Sequence, residues 1–256
     1  MLIAVTRAIS PTLAQCELTH LPRDPIDVAK AIAEHARYEV ALRSLGATVV
    51  RAPEEPTLPD AVFVEDTALV LDEVAIITRP GAPSRRPEIE SMATVLSAYK
   101  SVLRIQPPGT LDGGDVMIVG RRVYVGLSSR TNREGIAQLD TLLSEWGYEV
   151  IPVPVKGCLH LKSAVTQVAD NLLLLNDRWV SPECFASMEV VIVAPQEPDA
   201  ANALLIGGTV IYPAHHPETA RRLERAGVPL EAVPCGELAK AEGGVTCCSV
   251  VFEAKA

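Results

Sequence analysis

One structural phrase recurs along this chain, and an internal repeat of this kind constrains the fold more than any other feature of the sequence. Each copy has an apolar strand, a polar turn, a second apolar strand, a helix start marked by Ser, Thr or Pro, an amphipathic helix and a further strand. Equivalent positions of successive copies are 46, 48, 42 and 45 residues apart. These positions are held by Asp66, Asp112, His160, Asn202 and Cys247.

The fifth copy is incomplete, and the N-terminal segment contains the parts that it lacks. Only one strand follows Cys247 before the sequence stops at Ala256. Residues 2–5 supply a partner strand, and residues 27–45 supply a helix. Pairing of the two terminal segments would close the repeat into a ring without free sheet edges. We therefore expect one closed α/β domain over residues 1–256, with strands inside and helices outside.

Charge and hydropathy exclude several classes of partner. The formal net charge is -9, and no run of Lys or Arg is present that would neutralise phosphates, so nucleic acid and anionic membranes are not expected. No stretch approaches the roughly 20 apolar residues of a membrane helix, and the apolar N-terminal run is too short for a signal-peptide core. Six scattered cysteines are typical of free thiols in a reducing compartment. A cytoplasmic protein is expected.

A thiol, an imidazole and several carboxylates occupy equivalent positions of the copies, which converge on the axis of a five-fold ring. Cys247 follows two glycines that let the backbone approach a ligand, His160 lies in an apolar, strand-like run, and Asp112 begins an Asp-Gly-Gly-Asp turn. Taken singly, each has a structural explanation, because free cysteines are commonly core residues and Asp-Gly is a common hairpin signal. Their convergence predicts activated-thiol catalysis instead.

Two adjacent cysteines compete for the role of nucleophile. Cys247 and Cys248 are expected at the start of a short apolar strand, where successive side chains point to opposite faces. The alternating set that contains Cys247 is the more polar and suits a wet centre. The set that contains Cys248 ends in larger hydrophobic residues and suits packing beneath a helix. This parity favours Cys247.

Acidic and basic residues near the copy starts indicate a cationic amino-acid ligand. Glu65 and Asp66 follow an apolar run with no basic residue nearby in sequence, and buried carboxylates are costly without a cation. Arg85 and Arg130 precede predicted helix starts in adjacent copies, where backbone amides also favour anions. Surface solvation is the more common role of a single arginine. Two at matching places suggest a clamp for a carboxylate.

Six segments, in order, resemble the dimethylarginine dimethylaminohydrolases, a family of the guanidino-group-modifying (pentein) superfamily. The similar segments are residues 58–66, 77–86, 111–116, 125–132, 159–163 and 246–250. The resemblance covers nearly the whole chain. It implies a five-bladed α/β propeller with pseudo-five-fold ββαβ repeats, in agreement with the repeat described above.

The resemblance also implies an activity and a set of roles. The activity is hydrolysis of Nω-methylated L-arginine to L-citrulline and a methylamine through a covalent cysteine thiouronium intermediate. Cys247 would be the nucleophile, His160 the general acid and base, and Asp112 the carboxylate that orients His160. The implied substrate contacts are Asp60 for the α-amino group, Glu65 and Asp66 for the guanidinium, Arg85 and Arg130 for the α-carboxylate, Leu18 in a flexible lid, and the backbone of Ala241. Neither a metal nor a cofactor is implied.

Two alternatives stay open at this point. An arginine deiminase would use the same nucleophile and release ammonia from L-arginine. A non-catalytic binding protein could share the propeller, although the complete Cys/His/Asp set disfavours it. The family has valine where Ala241 stands, and the lid stretch around Leu18 is the least similar part, so substrate selectivity is undetermined. The oligomeric state is also undetermined, which leaves a homodimer open.

Overall fold

The computed structural model describes residues 1–254, where fifteen short strands form five three-stranded sheets. The strands are β1 (Leu2–Thr6), β2 (Thr48–Arg51), β3 (Ala68–Val70), β4 (Val74–Ile77), β5 (Ser101–Arg104), β6 (Val116–Val119), β7 (Arg122–Leu127), β8 (Glu149–Pro154), β9 (Val165–Ala169), β10 (Leu172–Leu175), β11 (Glu189–Ile192), β12 (Leu204–Ile206), β13 (Thr209–Pro213), β14 (Leu230–Val233) and β15 (Val250–Glu253). The α-helices are α1 (Val28–Ser44), α2 (Ile89–Leu96), α3 (Arg133–Leu143), α4 (Leu161–Ala164), α5 (Pro217–Arg225) and α6 (Gly236–Ala239).

Every sheet has the same internal order. Its middle strand, which is β1, β4, β7, β10 or β13, has one antiparallel and one parallel neighbour. Parallel neighbours need a crossover, and the chain makes it through α1, α2, α3, the 3₁₀ helix Pro182–Phe185 or α5. This order confirms the predicted ββαβ repeat, and the fold is a five-bladed α/β propeller.

The two terminal segments meet in one sheet. Strand β1 pairs antiparallel with β15, with Leu2 opposite Glu253 and Val5 opposite Val250, and it pairs parallel with β2. The amino group of Met1 donates a hydrogen bond of 2.9 Å to the carbonyl of Ala254. The predicted closure of the ring is therefore confirmed.

Neighbouring sheets share hydrophobic clusters, which join the blades into one ring. One cluster contains Ile3 of β1, Ala75 of β4, Met92 and Leu96 of α2, and Phe252 of β15. The apolar stripe of α2 thus covers residues from two adjacent sheets. Burial of such a stripe gives the blades their relative positions, because no single three-stranded sheet can bury its apolar residues alone. No helix within residues 1–254 is long and apolar enough to cross a membrane.

Two local predictions are wrong. His160 does not lie in a strand but immediately precedes α4, where its carbonyl accepts from Ser163 N at 3.1 Å. Cys247 and Cys248 lie in a turn, and β15 begins only at Val250. The backbone there bonds to another copy of the repeat, since the carbonyl of Cys247 accepts from Glu65 N at 3.1 Å. Strand alternation is therefore not what separates the two cysteines.

Candidate active site

The copies of the repeat bring most of the predicted site residues to one narrow cavity. Three predicted residues lie just behind its wall or beside it: Asp112, Glu65 and Leu18. The cavity is lined by the predicted residues Asp60, Asp66, Arg85, Arg130, His160, Ala241 and Cys247, and also by Glu17, Phe63, Leu159, Glu242 and Gly243. The sequence markers therefore converge as the five-fold ring requires.

Asp112 holds the imidazole of His160 in place. Nε2 of His160 lies 3.0 Å from Oδ2 of Asp112, and Oδ1 of Asp112 accepts a hydrogen bond of 2.8 Å from Gly81 N. Gly114 packs against the other side of the ring, where a Cβ atom would approach His160 Nδ1 to 2.6 Å. Only glycine fits there without displacing the imidazole. The ring thus has one orientation, fixed by a carboxylate that is itself anchored.

Three carboxylates determine the charge of His160. Burial lowers the pKa of this histidine, but the anions of Asp66, Asp112 and Asp115 outweigh burial and raise the pKa to about 9. Nδ1 of His160 lies 3.8 Å from Asp66 Oδ1. At neutral pH the imidazole is consequently protonated, which is the state that a general acid needs.

Cys247 is a neutral thiol in the unliganded site. Burial is the main cause that raises its pKa to about 12, and the anions of Glu65 and Asp66 add to it. Gly244 N donates to Sγ at 3.3 Å, which opposes this rise. Cys248 is buried instead in the hydrophobic cluster that contains Tyr38 of α1. The cavity therefore has one thiol in its wall, and a positive charge beside that thiol would favour its ionised form.

Glu65 already has a cationic partner, which its sequence neighbourhood did not indicate. Its Oε1 accepts from Lys162 Nζ at 2.5 Å, and its Oε2 accepts from the hydroxyl of Thr246 at 2.7 Å. Asn202, the marker of the fourth copy, donates to the same hydroxyl at 2.9 Å. The interpretation that Glu65 lacks a basic neighbour is wrong in three dimensions, because Lys162 comes from another copy. Glu65, Lys162, Thr246 and Asn202 form one network behind Cys247.

Asp66 is held between Arg85 and His160. Burial raises the pKa of Asp66, but the cations of His160 and Arg85 outweigh it and lower the pKa to about 2. Arg85 donates to Asp66 Oδ2 at 2.5 Å and to Glu88 Oε2 at 2.8 Å, and only 4% of its surface is exposed. Arg85 borders the cavity, but its guanidinium orients two carboxylates. Asp66 remains an anion at any pH near neutral.

An N-terminal loop, residues 17–24, lies over the cavity. It contacts both Asp60 and Arg130. The amide of Glu17 donates to Asp60 Oδ2 at 3.1 Å, and Arg130 Nη2 donates to the hydroxyl of Thr19 at 3.1 Å. Leu18 packs on the hydrophobic cluster beneath the loop, whereas its neighbour Glu17 lines the cavity. This loop lies where the sequence predicts a lid.

One group of side chains has the spacing of a metal site. Ligand atoms of Asp66, Asp112 and His160 lie within 4.8 Å of one another. However, a histidine with a pKa of about 9 carries protons on both ring nitrogens at neutral pH, and a metal needs a neutral imidazole. The carboxylates serve the imidazolium as acceptors. The shortest of these contacts is the 3.0 Å hydrogen bond between His160 Nε2 and Asp112 Oδ2, so an ion bound here would have to replace a proton of the imidazolium.

Sequence reasoning missed several residues that build this site. Asp115 lies in a recognised motif, and its carboxylate accepts from Leu161 N at 2.9 Å and from the hydroxyls of Ser128 and Thr131. It anchors the start of α4 beside His160. Glu88 follows Arg85 by three residues, a spacing that could have indicated the ion pair from sequence. Nothing in the sequence next to Lys162 or Thr246 indicates that these residues bond to Glu65.

Comparison with known proteins gives consistent results. A family model described as "N,N dimethylarginine dimethylhydrolase, eukaryotic" matches residues 20–183. An N(G),N(G)-dimethylarginine dimethylaminohydrolase of Pseudomonas aeruginosa is 37% identical over 228 residues, which cover 88% of this chain and 90% of that protein. One of Streptomyces coelicolor is 38% identical over 249 residues, which cover 96% of this chain and 95% of that protein.

Solved structures show the same architecture. A cysteine-to-serine mutant of the Pseudomonas aeruginosa enzyme, complexed with citrulline, superposes with a TM-score of 0.92 at 36% identity and covers 97% of this chain and 98% of that one. The N-terminal domain of a cyanobacterial arginine dihydrolase has a TM-score of 0.82 at 17% identity, which shows a shared fold alone. Because the identities to the two relatives extend over nearly all of the sequence, this chain belongs to the dimethylarginine dimethylaminohydrolase family.

Proposed function

We propose that this protein hydrolyses an Nω-methylated L-arginine to L-citrulline and a methylamine. The observation that carries the proposal is the composition of one cavity wall: a thiol, a protonated imidazole fixed by a carboxylate, and a buried anion, contributed by Cys247, His160 with Asp112, and Asp66. The names of the relatives and the citrulline bound to one of them support it. The proposed roles of the three catalytic residues are those that the sequence predicts.

The reaction proceeds in two steps that return every group to its starting state. The guanidinium cation binds beside Cys247, whose thiol loses its proton to solvent, and the thiolate adds to the guanidinium carbon. His160 then donates its proton to the substituted nitrogen, the carbon–nitrogen bond breaks, and the methylamine leaves. Neutral His160 takes a proton from water as the hydroxide adds to the thiouronium carbon. Collapse of this adduct expels the thiolate, the hydroxyl oxygen loses its proton to solvent as the urea carbonyl of citrulline forms, and the thiolate takes a proton back from solvent once the cation is gone.

The anionic wall selects a cation as substrate. Asp66 is ionised, and Glu65 lies next to it, so a planar guanidinium placed in the cavity gains charge-assisted hydrogen bonds that a neutral amide does not. Cys247 is converted into a nucleophile by the charge of the substrate itself. A neutral urea, such as the product, lacks that charge and is released.

Three further residues of the cavity wall are proposed to hold the amino-acid end of the substrate. Asp60 lines the cavity and is proposed to accept from the α-amino group, and Arg130 and Arg85, which also line it, are proposed to bind the α-carboxylate. The Ala241 backbone and the lid residue Leu18 complete the proposed contacts. Arg85 acts on substrate mainly through Asp66, since its guanidinium is already shared between Asp66 and Glu88.

A product assay tests the proposal and separates it from the deiminase alternative. Arginine, monomethylarginine and asymmetric dimethylarginine are supplied separately, and citrulline, ammonia and methylamines are quantified. We expect citrulline and dimethylamine in equal amounts from asymmetric dimethylarginine, because His160 protonates the nitrogen that departs. A higher kcat/KM for arginine, with release of ammonia, would favour the deiminase. No citrulline from any of the three would overturn the proposal.

Binding of a non-reactive cationic analogue is expected to lower the pKa of Cys247. The free thiol has a pKa raised to about 12 by burial and neighbouring anions, and a guanidinium beside it should reduce the pKa by about one pH unit or more. Thiolate absorbance is measured across pH with and without the analogue. Cys247→Ser provides the background of the other cysteines. An unchanged midpoint would count against ionisation by the substrate.

We also propose the wider organisation of the protein. Residues 1–256 are proposed to form a single catalytic domain, because the two ends of the chain pair in one sheet. Six free cysteines fit a cytoplasmic location.

A homodimer contact is also proposed on the outer surface of α1, where Ile32 and Val40 are 52% and 62% exposed. Sedimentation velocity of the wild type and of Val40→Glu would test the proposed dimer. A wild-type mass equal to that of a single chain would contradict it.

A further inference from the structure

Glu242 binds three consecutive backbone amides of the N-terminal loop over the cavity. Its Oε2 accepts from Thr19 N at 3.0 Å, and its Oε1 accepts from His20 N at 2.5 Å and from Leu21 N at 2.6 Å. These partners are more than 220 residues apart in sequence. Hydrogen bonds from amides to a carboxylate are stronger than those between neutral groups. One side chain therefore fastens the loop, residues 17–24, to the cavity rim.

The backbone of Glu242 is in an unfavourable conformation. Its φ is 58°, and it is the one non-glycine residue with positive φ within residues 1–254. Glycine adopts this conformation without steric cost, whereas a side chain is disfavoured there. The side chains of Phe63 and Asn202 pack closely against the two residues that follow, because a Cβ atom on Gly243 would collide with Phe63 and one on Gly244 with Asn202. Strained residues of this kind cluster at ligand clamps.

The fastened loop also contacts the two groups proposed to bind the amino-acid end of the substrate. Glu17 N donates to Asp60, and the hydroxyl of Thr19 accepts from Arg130. Ser84 donates to the carboxylate of Glu17 at 2.5 Å, which ties the loop to the segment beside Arg85. Asp60 and Arg130 are thus shared between the loop and the proposed substrate position. Movement of the loop changes the surroundings of both receptors.

We propose that Glu242 is a positioning residue that holds the loop closed and thereby aligns Asp60 and Arg130 on the amino-acid end of the substrate. The inference rests on the proposed function for its substrate, but the contact itself does not. Glu242 needs no contact with the reacting carbon. Its effect should be large for methylated arginines and small for a methylated alkylguanidine, which lacks the α-amino and α-carboxylate groups.

The decisive variant is Glu242→Gly, because glycine suits the positive φ. It removes the carboxylate and its three hydrogen bonds but relieves the backbone, and because these two effects oppose each other the melting temperature should change little. Hydrogen exchange of the peptide that contains residues 17–24 should become about tenfold faster or more, since three amides lose their acceptor. Glu242→Gln keeps one acceptor oxygen and should give an intermediate rate. Glu224→Gln, an exposed carboxylate of α5, is the matched control and should change nothing.

Kinetics on two substrates then test the positioning role. For Glu242→Gly we expect kcat/KM for asymmetric dimethylarginine to fall about tenfold or more, mostly through KM, and kcat/KM for the alkylguanidine to change less than about twofold. Unchanged exchange in residues 17–24 would overturn the contact. Faster exchange with equal losses on both substrates would overturn the alignment of the amino-acid end. If the wild type turns over neither substrate, the proposed function fails, while the exchange result still decides whether Glu242 fastens the loop.

Discussion

Replacing Cys247 by serine is expected to abolish citrulline formation, with kcat lower by about 10⁴-fold or more. A serine hydroxyl is not ionised by a neighbouring guanidinium, whereas a thiol with a pKa near 12 can be. The fold should remain, because the side chains are nearly equal in size and Sγ makes only weak polar contacts, with Gly244 N at 3.3 Å and with the hydroxyl of Thr246 at 4.0 Å. Citrulline release and thermal unfolding of the variant provide the measurement.

Cys248→Ala is the matched control for this experiment. Cys248 is 2% exposed and packs in the core, so alanine should retain activity and reduce stability by about 1 kcal/mol through a small cavity. Mass spectrometry of the quenched wild-type reaction should place a substrate-derived adduct on Cys247 alone. An adduct on Cys248, or citrulline from Cys247→Ser at the wild-type rate, would refute the assignment of the nucleophile.

Replacing Asp66 by asparagine is expected to lower kcat/KM by about 100-fold or more, which corresponds to roughly 3 kcal/mol. The variant keeps the shape of the side chain and removes the anion that pairs with a bound guanidinium. It should also change His160, because burial lowers the pKa of that histidine and Asp66 is the first of the anions that raise it to about 9. The loss of the general acid should therefore begin at lower pH.

The pH dependence of kcat separates these two effects. In the wild type, activity that needs protonated His160 persists below a pH of about 9 and is lost above it. In Asp66→Asn the pH above which kcat falls should move from about 9 towards the ordinary histidine pKa of about 6.5. Glu88→Gln is the control, since Glu88 pairs with Arg85 on the side away from His160. It should reduce stability more than kcat/KM. If Asp66→Asn has a KM within twofold of wild type and loses activity at the same pH as wild type, the assignment of Asp66 is contradicted.

The ring could be predicted from sequence, because its spacing is a local property repeated five times. Each copy needs the same length of chain to make a hairpin, a crossover helix and a third strand. The convergence of the residues proposed as catalytic could be predicted by the same logic, since equivalent positions of a closed ring approach one axis. His160, Cys247 and Asp112 occupy such positions and line or adjoin one cavity.

What could not be predicted depends on contacts between copies. The conformation at His160 follows from Asp115, whose carboxylate binds the Leu161 amide, and nothing near His160 in sequence shows it. The partner of Glu65 is Lys162, which is 97 residues away. Residues 247 and 248 were predicted as strand because they are apolar and flank one. The carbonyl of Cys247 accepts from Glu65 N of another blade, and Ser249 N donates to the carbonyl of Thr246. A turn therefore forms, and β15 starts three residues after Cys247.

The sheet that joins β1 to β15 has a consequence for the order of events during synthesis. Strand β1 emerges first from the ribosome and β15 last, so Ile3 and Val5 must wait for Phe252 and Val250, their partners in the completed ring. Contacts of such long sequence separation form late, because loop closure costs entropy before it is repaid. Cys247 lies in the turn that leads into β15. Among the described strands, the pairing that closes the ring therefore forms late, and the turn that holds the Cys247 thiol is completed together with it.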